Sequence, residues 1–118
     1  MYVNNDPYPI KRGDGTIFMN CHFHKFMPSS GQALQLDYCQ ISIGTYLYVL
    51  ANPYRETNVD DFNFACAHFP ILHFDEENIC HLETLFERLR DQSDISASGR
   101  ELRLFYVMEM IGTFIENL

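Results

Sequence analysis

A chain of 118 residues with 47% hydrophobic side chains has the length and composition of one globular domain, so we expect a single domain over residues 1–118. Eight lysines and arginines against sixteen acidic residues give a net charge of −8, which argues against direct binding of nucleic-acid phosphates by this chain. The apolar runs are shorter than the ~20 residues that span a membrane, and the N-terminal residues lack a signal-peptide pattern. The sequence therefore predicts a cytoplasmic protein with no membrane partner.

The first part of the chain predicts β structure. Residues 1–15 are rich in turn formers, so we expect a surface segment with one edge strand near residues 8–11 and a turn at Asp14-Gly15. Beyond it, apolar and polar side chains alternate with the period of strands, and turn residues separate the runs. These runs predict a β unit over residues 15–73, with strands at residues 16–27, 34–42, 45–50 and 62–69.

Residues 74–118 carry the only long helical periodicity and predict a helix pair. Asp75 is the expected N-cap of a first helix over residues 75–91. Ser98 with Glu101 three residues later has the spacing of a capping box and predicts the start of the second. The fold class expected is therefore α+β, with an antiparallel β-sheet or small β-barrel followed by two C-terminal helices.

Histidine and cysteine spacing gives one weak candidate metal site. His22 and His24 lie two apart on one predicted strand, and Cys66 and His68 lie two apart on another, so these four ligands could converge on an ion such as zinc. Ordinary strand alternation explains the same spacing, and we therefore predict no metal and no cofactor. The serines lack a nucleophile elbow and the carboxylates cluster at turns and helix starts, so the sequence predicts no catalytic site and no enzyme.

The order of these signals resembles a known family. The supporting runs are Gly15-Thr-Ile-Phe18, Leu47-Tyr-Val-Leu-Ala-Asn-Pro53, Asp61-Phe62-Asn-Phe64 and His68-Phe69, followed by the two helices. This order resembles the N-terminal sensing and dimerisation domain of AraC/XylS-type transcriptional regulators. The resemblance implies a cupin-like β-barrel that binds a small-molecule effector and a helix pair that joins two subunits. It carries over no DNA-binding residue, because the helix-turn-helix units of that family follow the matching region.

Two sets of residues are the candidate sites of such a domain. The β unit is unusually aromatic, so we expect an apolar ligand pocket, with a filled core as the alternative. Its expected lining is Phe18, Phe23, Phe26, Tyr38, Tyr46, Tyr48, Phe62 and Phe64. The second helix is apolar on two faces, and we expect one face to form a homodimer contact. The near-heptad seam chosen for it is Leu104, Met108, Ile111 and Ile115.

The acidic composition favours a second functional class. A small stand-alone interaction protein, such as a phage- or plasmid-type inhibitor or nucleic-acid mimic, would use negative charge to block a basic partner. Arginines interleave with the acids near the helices, at Arg88, Arg90, Arg100 and Arg103, whereas a mimic should concentrate its charge on one face. The reading frame after Leu118 separates the two classes. A helix-turn-helix there indicates the regulator, and a stop codon indicates the inhibitor.

Overall fold

The computed structural model describes residues 1–18, 22–28, 31, 33–42, 44, 71–93 and 95–118. In these residues the fold is α+β, with short antiparallel strands followed by two C-terminal helices, which confirms the predicted class. The strands are β1 (Tyr2–Val3), β2 (Asp6–Pro7), β3 (Asp14–Gly15), β4 (His24–Lys25) and β5 (Leu72–His73). The helices are α1 (Glu76–Asp91) and α2 (Ala97–Glu116). Neither of these two helices is both long and apolar enough to cross a membrane.

The N-terminus forms a β-hairpin that the sequence pattern did not predict. β1 and β2 pair antiparallel around a two-residue loop, Asn4-Asn5, and β4 pairs with the other side of β1. Asn4 and Asn5 have φ of 50° and 71°, the left-handed geometry of a type I′ turn, which asparagine tolerates better than most residues. Residues 8–11 do not form the expected strand. The hairpin strands are instead Tyr2–Val3 and Asp6–Pro7, on either side of the Asn4-Asn5 loop.

A tight turn leads into the second sheet, in which β3 pairs with β5. The amide of Asp14 donates to the carbonyl of Lys11 at 3.1 Å, and the Asp14 carboxylate accepts the Lys11 amide at 2.9 Å. Gly13 has φ of 91° at the third position, as a type II turn requires. The turn therefore covers residues 11–14, and the predicted turn dipeptide Asp14-Gly15 is a strand that pairs with Leu72–His73.

Gly13→Ala should destabilise the protein more than Gly31→Ala does. Both glycines have positive φ, which costs an alanine about 1 kcal/mol. A Cβ on Gly13 would also lie 2.8 Å from Cδ1 of Ile79, whereas a Cβ on Gly31 meets nothing within 4 Å. Urea unfolding should show that Gly13→Ala lowers the free energy of unfolding by roughly 1 kcal/mol more than Gly31→Ala does. Equal losses would mean that the turn does not press on α1.

The helix starts illustrate how local chemistry sets boundaries. The Asp75 carboxylate accepts the Asn78 amide at 2.8 Å, so α1 begins where the sequence predicts. α2 begins two residues earlier than predicted, because Ser96 is extended and its hydroxyl accepts the amide of Gly99 at 3.3 Å. Ser98 already belongs to the first helical turn. The capping box expected from Ser98 and Glu101 is therefore not the start of α2.

α2 packs on two sides within the same chain. Val107 and Ile111 form one buried cluster with partly buried side chains from Ile17, Ile41 and Leu89. Met110 joins the other cluster with β5, Phe74 and α1, whose buried members are Leu72, Phe74, Ile79, Leu82 and Leu85. Phe74, which precedes α1, meets Phe114 near the end of α2 edge to face at 5.0 Å, so the two helices run antiparallel. Both apolar faces of α2 therefore have partners in the chain.

Candidate interaction site

The structure places two of the predicted pocket residues in a small packed core. Phe18 stacks on His24, with ring centroids 3.8 Å apart and ring planes 9° apart. Phe26 meets the Phe18 ring edge to face at 6.0 Å. Both phenylalanines pack partly buried against the buried residues Met1 and Val3. These aromatic side chains therefore contact one another and the N-terminal hairpin.

The other predicted pocket residues do not join them. Phe23 is 82% exposed and Tyr38 is 81% exposed, and they line different surface grooves. The remaining four, Tyr46, Tyr48, Phe62 and Phe64, lie outside the described residues. The single pocket expected from the sequence stays a prediction, and its described members are spread over one core and two grooves.

The candidate metal ligands that the structure describes, His22 and His24, lie in different environments. His22 is buried, whereas His24 two residues later is exposed and stacked on Phe18. Cys66 and His68 lie outside the described residues. In the part of the chain that the structure describes, no three His, Cys, Asp or Glu side chains form a group that could bind a metal ion.

The predicted dimer seam lies mostly against the interior of its own chain. Ile111 is 3% exposed, and Leu104, Met108 and Ile115 are partly buried around its cluster. A subunit contact is expected if one face of α2 lacks a partner within the chain, and the structure supplies partners for both faces. A homodimer through these residues stays a prediction.

An open groove lies over β1 and β4, and we call it the β1–β4 groove. It encloses about 620 Å³. Its lining residues are Tyr2, Asn4, Asn5, Phe23, His24, Lys25 and Met27. The pleat separates the two cross-strand pairs. Val3 is buried and its partner His24 stacks on Phe18 at the edge of the groove, while Tyr2 and Lys25 are partners on the other side.

Asn4 fixes the backbone that carries Phe23. The Asn4 amide donates to the Phe23 carbonyl at 2.7 Å, and the Phe23 amide donates to the Asn4 side-chain oxygen at 3.0 Å. A left-handed residue cannot continue the ladder with its own carbonyl, so its side chain supplies the acceptor instead. The Phe23 main chain is thus held on both sides while its ring lies in water.

The groove is locally cationic on an acidic protein. Lys25 lies in its lining, and no carboxylate does. Within the described ranges, Lys25 forms no ion pair, whereas Arg12 pairs with Glu76 at 2.8 Å and Arg90 with Asp37 at 2.6 Å. The β1–β4 groove therefore combines exposed apolar side chains with one cation that has no acidic partner there.

A second groove, the α1 groove, lies between the segment 36–39 and the C-terminal part of α1. It encloses about 400 Å³ and is lined by Leu36, Asp37, Tyr38, Cys39, Phe86, Leu89 and Arg90. Its polar element is the Arg90–Asp37 pair, in which both charges are partly exposed. Shielding of the sulfur from water raises the pKa of the Cys39 thiol above its ordinary value.

Cys39 should therefore alkylate slowly at pH 8. A raised pKa leaves less thiolate at that pH, and the thiolate is the nucleophile. We expect iodoacetamide to modify Cys39 more slowly than the cysteine of a free peptide of residues 34–42. The difference should narrow as the pH rises above the thiol pKa. Peptide-resolved mass spectrometry measures both rates, and equal rates at pH 8 would contradict the shielding.

A polar cluster joins β3, β5 and α1 without forming a site. Nδ1 of His73 lies 2.5 Å from Oδ1 of Asp14, its cross-strand partner, and the Asp14 side chain is 5% exposed. Hydrogen bonding to Glu76, together with its negative charge, raises the pKa of Arg12. The His73–Asp14 pair joins β3 to β5, and the Arg12–Glu76 pair joins the turn of residues 11–14 to the start of α1. Their exposed members are screened by water, so these pairs add little to the stability of the fold.

Comparison with protein-family models, curated proteins and solved structures finds no match, so the functional argument rests on this chain's residues. Sequence reasoning selected Phe23 but missed Tyr2, Asn4, Lys25 and Met27. The available signal was Asn4-Asn5, a dipeptide that favours a two-residue hairpin loop. Recognising that hairpin would have placed Tyr2 on a strand. The pairing of β1 with β4 joins residues 21 and 23 positions apart and has no local signal.

Proposed function

We propose that this chain is a non-catalytic interaction protein that binds a partner protein through the β1–β4 groove. This belongs to the interaction-protein class of the sequence analysis, but the contact is assigned to a groove lined by Lys25 and no carboxylate, and not to an acidic surface that blocks a basic partner. The observation that carries it is Phe23, whose main chain is held by Asn4 while its side chain is 82% exposed.

Energetics support the assignment of Phe23 as an anchor. Burying a phenylalanine is worth about 1.5–3 kcal/mol, and aromatic anchors dominate many protein interfaces. Tyr2 and Met27 beside it are 39% and 53% exposed, so the apolar surface is a patch rather than one side chain. A partner that covers the patch gains this burial without first ordering the backbone of Phe23.

Photo-crosslinking at position 23 tests the proposal. The chain would carry benzoylphenylalanine in place of Phe23, and a control chain would carry it in place of Tyr38, which is equally exposed. In extracts of the source cells, position 23 should give a discrete adduct that excess parent protein abolishes. Excess Phe23→Ala protein should not abolish it, and excess Tyr38→Ala protein should.

Two results would count against the β1–β4 groove as the docking site. One is an adduct at position 38 with none at position 23. The other is an adduct at position 23 that Phe23→Ala competes as well as the parent does. Circular dichroism of each variant confirms that the fold is retained, as the exposure of both side chains predicts.

The second candidate function is the one that the family resemblance implies, an effector-binding and dimerisation domain of a transcriptional regulator. The α1 groove favours it, because about 400 Å³ lined by Leu36, Phe86 and Leu89 beside Arg90 suits a small amphipathic molecule. Thermal-shift screening with sugars, fatty acids and aromatic acids tests this candidate. A stabilising hit that Arg90→Met abolishes and Phe23→Ala retains would assign the effector to the α1 groove, and no hit would remove this support.

A further inference from the structure

We propose that the partner segment bound in the β1–β4 groove carries an apolar side chain next to a carboxylate. This inference rests on the proposed function and specifies the chemistry of its partner. It follows from the juxtaposition of Phe23 and Lys25, two residues apart, in one groove lining.

The apolar requirement comes from the floor and rim of the groove. Tyr2, Phe23 and Met27 leave large apolar surface in water, and no carboxylate interrupts it within the lining. A ligand that was polar throughout would leave these surfaces uncovered and would lose the hydrophobic gain. The flexible thioether of Met27 can adapt to an aliphatic or an aromatic partner side chain.

The carboxylate requirement comes from charge complementarity at short range. Lys25 has no acidic partner in the described ranges, whereas Arg12 and Arg90 are already paired. The amide side chain of Asn5 lies in the same lining and adds neutral hydrogen-bonding groups for a peptide main chain. A carboxylate bound at Lys25 would thus gain an ion pair that costs no existing one.

The net charge of −8 acts in the opposite direction, since it repels an acidic partner at long range. Salt decides between the two effects. At physiological ionic strength the Debye length is about 8 Å, so charges on distant faces are largely screened while a contact pair is screened less. The local preference for a carboxylate should therefore survive at about 0.15 M salt and weaken at low ionic strength, where repulsion reaches further.

Selection from random peptides displayed on phage tests the inference at physiological salt. Clones directed to the groove are those that excess parent protein displaces and excess Phe23→Ala protein does not. Among these we expect aspartate or glutamate beside an apolar residue at about twofold or more above its frequency in the starting library. Lys25→Glu used as bait should reverse the preference towards lysine and arginine, and Lys25→Met should abolish it.

The outcomes separate this inference from the proposed function. Groove-directed clones without acidic enrichment would contradict the carboxylate requirement, and so would clones with the same enrichment on Lys25→Glu. Neither result would contradict the proposed interaction with a partner protein. An absence of groove-directed clones would overturn the apolar-acidic segment as well. The proposed function fails on its own criterion, the crosslinking pattern at positions 23 and 38.

Discussion

Replacing Ile111 with Glu should unfold the chain. Ile111 is 3% exposed and lies with Val107 in the cluster between α2 and the N-terminal segment. An unpaired charge there loses the burial of the isoleucine and leaves a carboxylate without partners, a cost of about 4 kcal/mol or more. That is a large fraction of the roughly 5–15 kcal/mol by which native proteins are stable.

Leu102→Glu on the same helix is the matched control, because Leu102 is 39% exposed. Its cost should stay within about 0.5–1 kcal/mol. Thermal and urea unfolding measure both variants, and light scattering measures their mass. A folded Ile111→Glu protein with half the mass of the parent would show that Ile111 lies in a subunit contact, as the predicted seam has it. Aggregation or loss of helical signal is the result that the described core predicts.

Gly15→Val should be the second most damaging substitution. A Cβ at position 15 would lie 2.7 Å from Cε2 of Phe74 and 3.0 Å from Cζ of Phe114. The edge-to-face pair of these rings joins the start of α1 to the end of α2, and β3 cannot move away without breaking its pairing with β5. Overpacking of this kind costs about 1–3 kcal/mol, and valine adds further methyl groups beyond the Cβ.

A double-mutant cycle separates this clash from a general effect on the strand. Phe74→Leu removes the ring atom that lies nearest to a Cβ at position 15. The double variant should therefore lose less stability than the sum of the losses in the two single variants. We expect a coupling of about 1 kcal/mol between the two substitutions. Strict additivity would mean that Phe74 does not occupy the space beside Gly15.

The helices were predictable because their signals are local. Asp75 and the apolar spacing that follows it define α1 without any knowledge of the rest of the chain, and the structure agrees within one residue. The start of α2 was misplaced because Ser96 and Ser98 are both suitable caps. Only the backbone conformation, extended at Ser96, decides between them.

The described strands were hard to predict because each has two residues, too few to show a period of two, and the strands predicted at residues 45–50 and 62–69 lie outside the described residues. Residues 34–42 alternate as a strand would, yet the structure describes them without strand pairing, and Leu34 and Leu36 are exposed. Alternation reports which residues share a face if a strand forms. It does not report whether a partner strand is present.

The candidate site depended on the same missing information. Alternation with a period of two places Phe18, His24 and Phe26 on one face, and the structure brings these three rings into one aromatic cluster. It could not show that Phe23 would remain in water, because exposure depends on what the rest of the fold covers. Nothing in the sequence around Lys25 indicates a binding role. Its place in the groove follows from the pairing of β4 with β1, which puts Lys25 opposite Tyr2.

Chemical-shift mapping on the ¹⁵N-labelled protein tests the β1–β4 groove as the docking surface most directly. The probe is a groove-directed peptide from the selection, titrated into the parent protein and into Phe23→Ala. Our account predicts that the amides of Asn4, Asn5, Phe23 and Lys25 shift in the parent, that Arg90 in the α1 groove does not, and that Phe23→Ala removes the changes. Shifts centred on Tyr38 and Arg90, with Asn4 and Lys25 unchanged, would contradict it.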